Sequence, residues 1–160
     1  MSEHFDLDLF LRVLQGLLTP LIGICTVYIA YQQYIQNKIK TRADLYEKRK
    51  VVYSAIQELL IATILNNSAD SSDMQKFFIG TSNAEFLFPK DIPIYLSKLR
   101  KMCRQLNVAN EQYRDNTQQP HPPNYDHQQV CDDMHQALTW LAEQHENGAS
   151  DKFKPYLSIV

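Results

Sequence analysis

The chain has 160 residues, with 16 Lys and Arg against 18 Asp and Glu, and a net charge of −2. That length holds one modest domain, and the near-neutral balance lacks the basic excess that nucleic-acid binding needs. Cys25, Cys103 and Cys131 show no paired spacing, so the cysteines read as reduced thiols and not as a disulfide framework.

The first twelve residues, MSEHFDLDLFLR, carry Glu3, Asp6 and Asp8 against Arg12. That is the wrong sign for the basic start of a secretory signal, and no small-residue cleavage site follows. The next stretch, Val13 to Tyr31, has nineteen residues and no formal charge. As a helix it would span about 28 Å, close to the hydrocarbon thickness of a bilayer. The expectation is one transmembrane helix over residues 13–34, with residues 1–12 as a short extracytoplasmic tail. The mean hydropathy of −0.37 averages this stretch with a polar remainder.

Gly16, Thr19, Gly23, Thr26 and Ala30 recur at spacings of three and four. They form one stripe of small residues, the geometry of close helix–helix contact in lipid. Gln15 flanks the stripe, and Pro20 is expected to kink the helix near Gly16. Lys38, Lys40, Arg42, Lys48, Arg49 and Lys50 follow the span. This asymmetry predicts the N-terminus outside and the rest of the chain in the cytoplasm. Lys38, Lys40 and Arg42 are candidates for contact with anionic lipid, and Tyr28, Tyr31 and Tyr34 for an interfacial belt.

Residues 35–160 read as a helical bundle, so the fold expected is all-α, with about four to six helices. No Pro or Gly interrupts residues 24 to 67, and the span should run straight into a long cytoplasmic helix. Leu45, Arg49, Val52, Ile56, Leu59 and Thr63 mark its inward row. Residues 66–72 form a polar turn. Ser72 with Gln75, and Ser82 with Glu85, match capping boxes, predicting short helices over about 73–79 and 83–88, split by Gly80 and stopped by Pro89. Asp91 can cap a long helix bearing Ile92, Tyr95, Leu96, Leu99, Met102, Cys103, Leu106, Ala109 and Tyr113 inward. Residues 116–124, with three prolines, read as an exposed connection. A helix from about Asp126 to Glu146 follows, with Val130, Met134, Ala137, Leu138 and Leu141 inward and Gly148 ending it. The tail should dock back as a short final helix.

Chemistry is sparse. His127, Cys131 and His135 step by four along one helix face, and an i, i+4 pair can hold two ligands of a zinc ion. His121, Asp126, Asp132 and Asp133 lie near in sequence. The outer two of the row stand about 12 Å apart along the axis, too far to share one metal. No phosphate-cradling glycine loop and no nucleophile elbow occurs, so neither an enzyme nor a cofactor is expected.

Three sets of residues resemble a known group: YIAYQQY with LYEKRKVVY (28–34 and 45–53), AEFLFPKDIPIYL (84–96) and FKPYL (153–157). Together they are similar to a widespread group of small bacterial membrane proteins with one N-terminal span, to which no activity is attached. The resemblance implies that topology, a bacterial inner membrane and a helical domain, and no catalytic residue. The function expected is a membrane-anchored interaction or scaffold module, self-associating or meeting a partner helix through the span. The alternatives are a membrane-acting effector of a stress or anti-phage response, with Gln15, Thr19 and Thr26 lining a polar seam, and a ligand-sensing bundle with an aromatic pocket at 77–95.

Overall fold

The computed structural model describes residues 3–114 and 123–158, without the side chains of residues 3–11, Leu14 and Thr19. The described chain is all-α: α1 (Glu3–Asn66), α2 (Ser71–Thr81), α3 (Ala84–Leu87), α4 (Asp91–Gln112), α5 (His127–Glu143), a π-helical turn (Gln144–Gly148) and α6 (Ala149–Leu157). It divides into two compact units, Met1–Asp44 and Leu45–Val160.

The first unit is the N-terminal part of α1. Pro20 lies inside the helix. Its side-chain hydrogen bonds run along the helix: Thr26 Oγ1 donates to the Ile22 carbonyl at 2.8 Å, and Thr41 Oγ1 to that of Asn37 at 2.9 Å. Most of its described large apolar side chains are exposed, from 53 % at Leu18 to 70 % at Val27, and Ile35 is half-buried. Among the described residues no helix is long and apolar enough to cross a membrane. The side chains of Leu14 and Thr19, inside the expected span, are not among them.

The second unit is the bundle. The C-terminal part of α1 turns its inward row into the core, with Val52, Ile56, Leu59, Leu60 and Thr63 at 0–1 % exposure. Leu45, expected inward, is exposed. α4 supplies the largest share of the core, from Ile92 to Ala109. Tyr113, expected inward, sits beyond its last residue and is exposed. From α5, Val130, Ala137 and Leu141 are buried, while Met134 and Leu138 are half-buried. Phe153 of α6 is fully buried in the same cluster, so the C-terminal segment packs on the bundle.

The α1–α2 connection is pinned by amides. Asn67 takes a left-handed conformation (φ 50°), a geometry Asn tolerates at a helix C-terminus. Asn107 of α4 accepts from the Ala69 N–H at 2.9 Å and donates to its carbonyl at 2.7 Å. Asn110 donates to the Asn67 carbonyl at 2.7 Å.

Four expected local signals differ. α2 is capped by Asp70, which accepts from the Ser71 N–H at 2.7 Å, and not by Ser72. Gly80 does not break the helix but lies within α2, because α1 passes too close for a side chain there: a Cβ on Gly80 would meet Ala55 Cβ at 2.5 Å. Asp91 is the first residue of α4 and makes no cap; its carboxylate accepts instead from Tyr156 OH at 3.0 Å. Gly148 does not end α5, since the chain continues through the π-helical turn into α6. The expected cap at Asp126 is present, accepting from the N–H groups of Gln128 and Gln129 at 3.0 and 3.1 Å. Most of the proline-rich connection, residues 116–122, lies outside the described residues.

Candidate functional site

Three places carry sequence-derived candidates or unexpected chemistry. The first is the small-residue stripe. Gly16, Gly23, Thr26 and Ala30 are exposed, and nothing lies within 4 Å of a Cβ built at Gly16 or Gly23. The Thr19 side chain is outside the described residues. Gln15, Lys38, Lys40 and Arg42 are exposed as well. Along the same segment, Leu17, Leu21, Ile22, Ile24, Val27 and Ile29 are each more than half exposed. Soluble proteins avoid exposing contiguous apolar areas of more than a few hundred Å².

The second place is the histidine–cysteine row of α5. His127 and Cys131 are half-buried, and His127 Nε2 lies 3.5 Å from Cys131 Sγ. The other ring nitrogen, Nδ1, lies 3.1 Å from Tyr125 OH. Tyr113 and Tyr125 place their rings 5.6 and 6.0 Å from the imidazole, centre to centre. His135 does not join this group: it is exposed and lines a separate surface groove with Asp132, Trp140 and Glu143. Asp132 accepts from Gln128 at 3.0 Å and Asp133 from Gln105 at 3.2 Å, so both carboxylates are taken up locally. Among the described residues, no three His, Cys, Asp or Glu side chains are grouped to hold a metal ion. His121 lies outside those residues.

The third place was not foreseen. Arg49, on the inward row of α1, donates through Nε to the Leu87 carbonyl at 3.2 Å and through NH1 to the Tyr156 carbonyl at 3.2 Å. These carbonyls end α3 and α6, where helices leave acceptors unpaired and favour a cation. The guanidinium also lies 5.6 Å from the Phe88 ring centre and 6.0 Å from that of Tyr156. Phe88 and Phe153 meet edge-on at 5.2 Å, and Tyr53 packs on Phe153 at 5.5 Å. The bond that Tyr156 donates to Asp91 raises its phenol above the usual value, with burial second. Arg49 therefore acts as a fastener between α1, α3 and α6. The only sequence signal was a charged residue on an otherwise apolar row.

The aromatic segment at 77–95 is divided between core and surface. Phe77, Phe88 and Tyr95 are buried, and Phe86 is 86 % exposed. Burial, and then the neighbouring Tyr53, hold the Tyr95 phenol well above its ordinary value. A groove of about 490 Å³ runs between α1 and α2, lined by Val51, Ala55, Glu58, Lys76 and Ile79 among others. A second, of about 350 Å³, lies at Arg114, Tyr125 and Asp126. Neither is lined by an aromatic residue of that segment; Ile79 and Gly80 are its only residues at the first groove. Comparison with family models, with curated proteins and with solved structures finds no match.

Proposed function

We propose that the chain is a membrane-anchored helical module whose N-terminal apolar segment lies in the bacterial inner membrane and associates with another such helix through its small-residue stripe. The N-terminus would lie outside and the bundle in the cytoplasm. One observation carries the reading: from Val13 to Tyr31 the chain presents large apolar side chains more than half exposed, in a stretch that contains no Asp, Glu, Lys or Arg. Burying a Leu, Ile or Val side chain is worth about 1.5–3 kcal/mol, so this surface is strongly driven out of water. Lipid covers such a helix and leaves its backbone bonds intact. Gly16 and Gly23 leave space on one face for a second helix to approach closely. Lys38, Lys40 and Arg42 then stand where anionic headgroups lie, each contributing on the order of 1 kcal/mol.

Two measurements test this. Membranes from expressing cells, washed in alkaline carbonate, should retain the full chain in the pellet; release into the supernatant refutes the anchor. On a blue-native gel in mild detergent, Gly16→Ile with Gly23→Ile should run as a smaller species than the native chain. Equal migration refutes association through this face.

A further inference from the structure

The row on α5 contains an arrangement independent of the membrane reading. Cys131 Sγ faces His127 Nε2 at 3.5 Å, and His127 Nδ1 faces Tyr125 OH at 3.1 Å. Tyr125 OH is itself placed by the backbone. It accepts from the Arg114 N–H at 3.0 Å and donates toward the Arg114 carbonyl at 3.4 Å. In the tautomer proposed, His127 Nδ1–H donates to the phenol oxygen, which turns the Nε2 lone pair toward the thiol. A base at hydrogen-bond reach of the nucleophile, oriented by a third group, is the general arrangement for activating a weak nucleophile.

We propose that Cys131 is a nucleophilic thiol, a modification site for small soft electrophiles and hydroperoxides, with His127 as its proton acceptor and Tyr125 as the group that orients the imidazole. With hydrogen peroxide, the thiol proton passes to His127 Nε2 and the sulfur attacks one peroxide oxygen. The S–O bond forms as the O–O bond breaks. The imidazolium returns its proton to the departing hydroxide, leaving water and a sulfenic acid; sulfur is oxidised by two electrons and the peroxide reduced by two. Cys103 is an internal contrast: it is fully buried, and burial pushes its thiol up to about 11 despite the opposing Thr63 hydroxyl.

A positioned base that takes the thiol proton as the new bond to sulfur forms typically contributes on the order of a hundredfold, and a rise of about threefold over a free thiol is the least that the contact should give.

The test uses the full chain in mild detergent with Cys25→Ser, so that two thiols remain. Iodoacetamide alkylation is followed at each by peptide mass spectrometry, with N-acetylcysteine amide as reference. Cys131 should react at least about threefold faster than the reference and Cys103 should stay unmodified. His127→Gln, which keeps a polar side chain without a base, should bring Cys131 down to the reference rate; Tyr125→Phe should slow it less. Hydrogen peroxide with dimedone should tag Cys131 in the native chain and much more weakly in His127→Gln. The proposal is overturned if native Cys131 reacts no faster than the reference, a result that needs no variant to fold. It is equally overturned if His127→Gln leaves both rates unchanged.

Discussion

Gly80 offers the sharpest test of how α1 and α2 meet. In an exposed helix interior, replacing Gly by Ala stabilises by about 1 kcal/mol through backbone entropy. Here the new methyl would sit 2.5 Å from Ala55 Cβ, 0.9 Å short of the 3.4 Å where ordinary contact begins. Ala55 Cβ is fixed to the α1 backbone and has no rotamer to escape into, so one helix must move. Overpacking of this kind costs roughly 1–3 kcal/mol. The clash offsets or exceeds the propensity gain, and Gly80→Ala should destabilise by up to about 2 kcal/mol. The companion change Ala55→Gly removes the obstacle, leaving Ala55 Cα at 3.9 Å, an ordinary contact. The double variant moves the methyl from one helix to the other and should return to within about 0.5 kcal/mol of the native chain, a coupling well above the error of a mutant cycle. The chain has one tryptophan, Trp140, packed on Tyr95 in the bundle, so urea unfolding read by its fluorescence reports this unit. If Gly80→Ala stabilises, or if the double variant is no better than Gly80→Ala, the close approach is wrong.

Three further outcomes are expected. Arg49→Met, which keeps the stem but loses both carbonyl bonds, should cost about 2–3 kcal/mol in the same urea titration, and Arg49→Lys about half of that, because a lysine cannot hold both carbonyls in one plane. Asp126→Ala should cost about 1 kcal/mol by freeing two N–H groups at the start of α5, and amide exchange there should rise while α4 is unchanged. Cys103 titrates from 9.0 in the unfolded chain to about 11 in the bundle, so the native state holds its proton where the unfolded state has released it. That contribution is intact below pH 9 and lost as pH rises through 11, on the order of 3 kcal/mol; Cys103→Ala should show a shallower alkaline decline in urea midpoint, and an equal decline would refute the assignment.

Much of the bundle was legible because its core follows helical period. The rows Val52–Ile56–Leu59–Thr63 and Ile92 to Ala109 are buried as their spacing implies. The α5 cap and the docking of the C-terminal segment were legible too, one from an Asp before a periodic run, the other from an aromatic run at the chain's end. Both glycines taken as helix punctuation were misread for a tertiary reason. Gly80 is needed where another helix comes near, and the space a Cβ would take at Gly148 is filled by the Gln144 side chain in a π-helical turn. Neither neighbour is visible in a local pattern. The same holds for Arg49, whose acceptors lie 38 and 107 positions away and are backbone carbonyls without side-chain identity. On α5 the spacing correctly placed His127 and Cys131 on one face, but the partner of the imidazole is a tyrosine outside the helix, and His135 stands apart.

Most of the segments that carried the sequence resemblance come together at one place in the bundle. LYEKRKVVY supplies Arg49 and Tyr53; AEFLFPKDIPIYL supplies the Leu87 carbonyl, Phe88, Asp91 and Tyr95; FKPYL supplies Phe153 and Tyr156. All of these meet in the cluster around Arg49 and Phe153. A guanidinium bound to two helix ends demands particular neighbours: flat rings beside it, a carbonyl at each helix terminus, an acceptor for the Tyr156 phenol. Such demands restrict which residues can stand at these positions, because they decide how the bundle closes. Only YIAYQQY stays outside this cluster. Its three tyrosines are 61–65 % exposed, with ring bodies that favour an apolar phase and hydroxyls that favour a wet one. Tyr28 OH accepts from Gln32 Nε2 at 3.2 Å, and in the proposed reading the three exposed rings take up an interface between lipid and water.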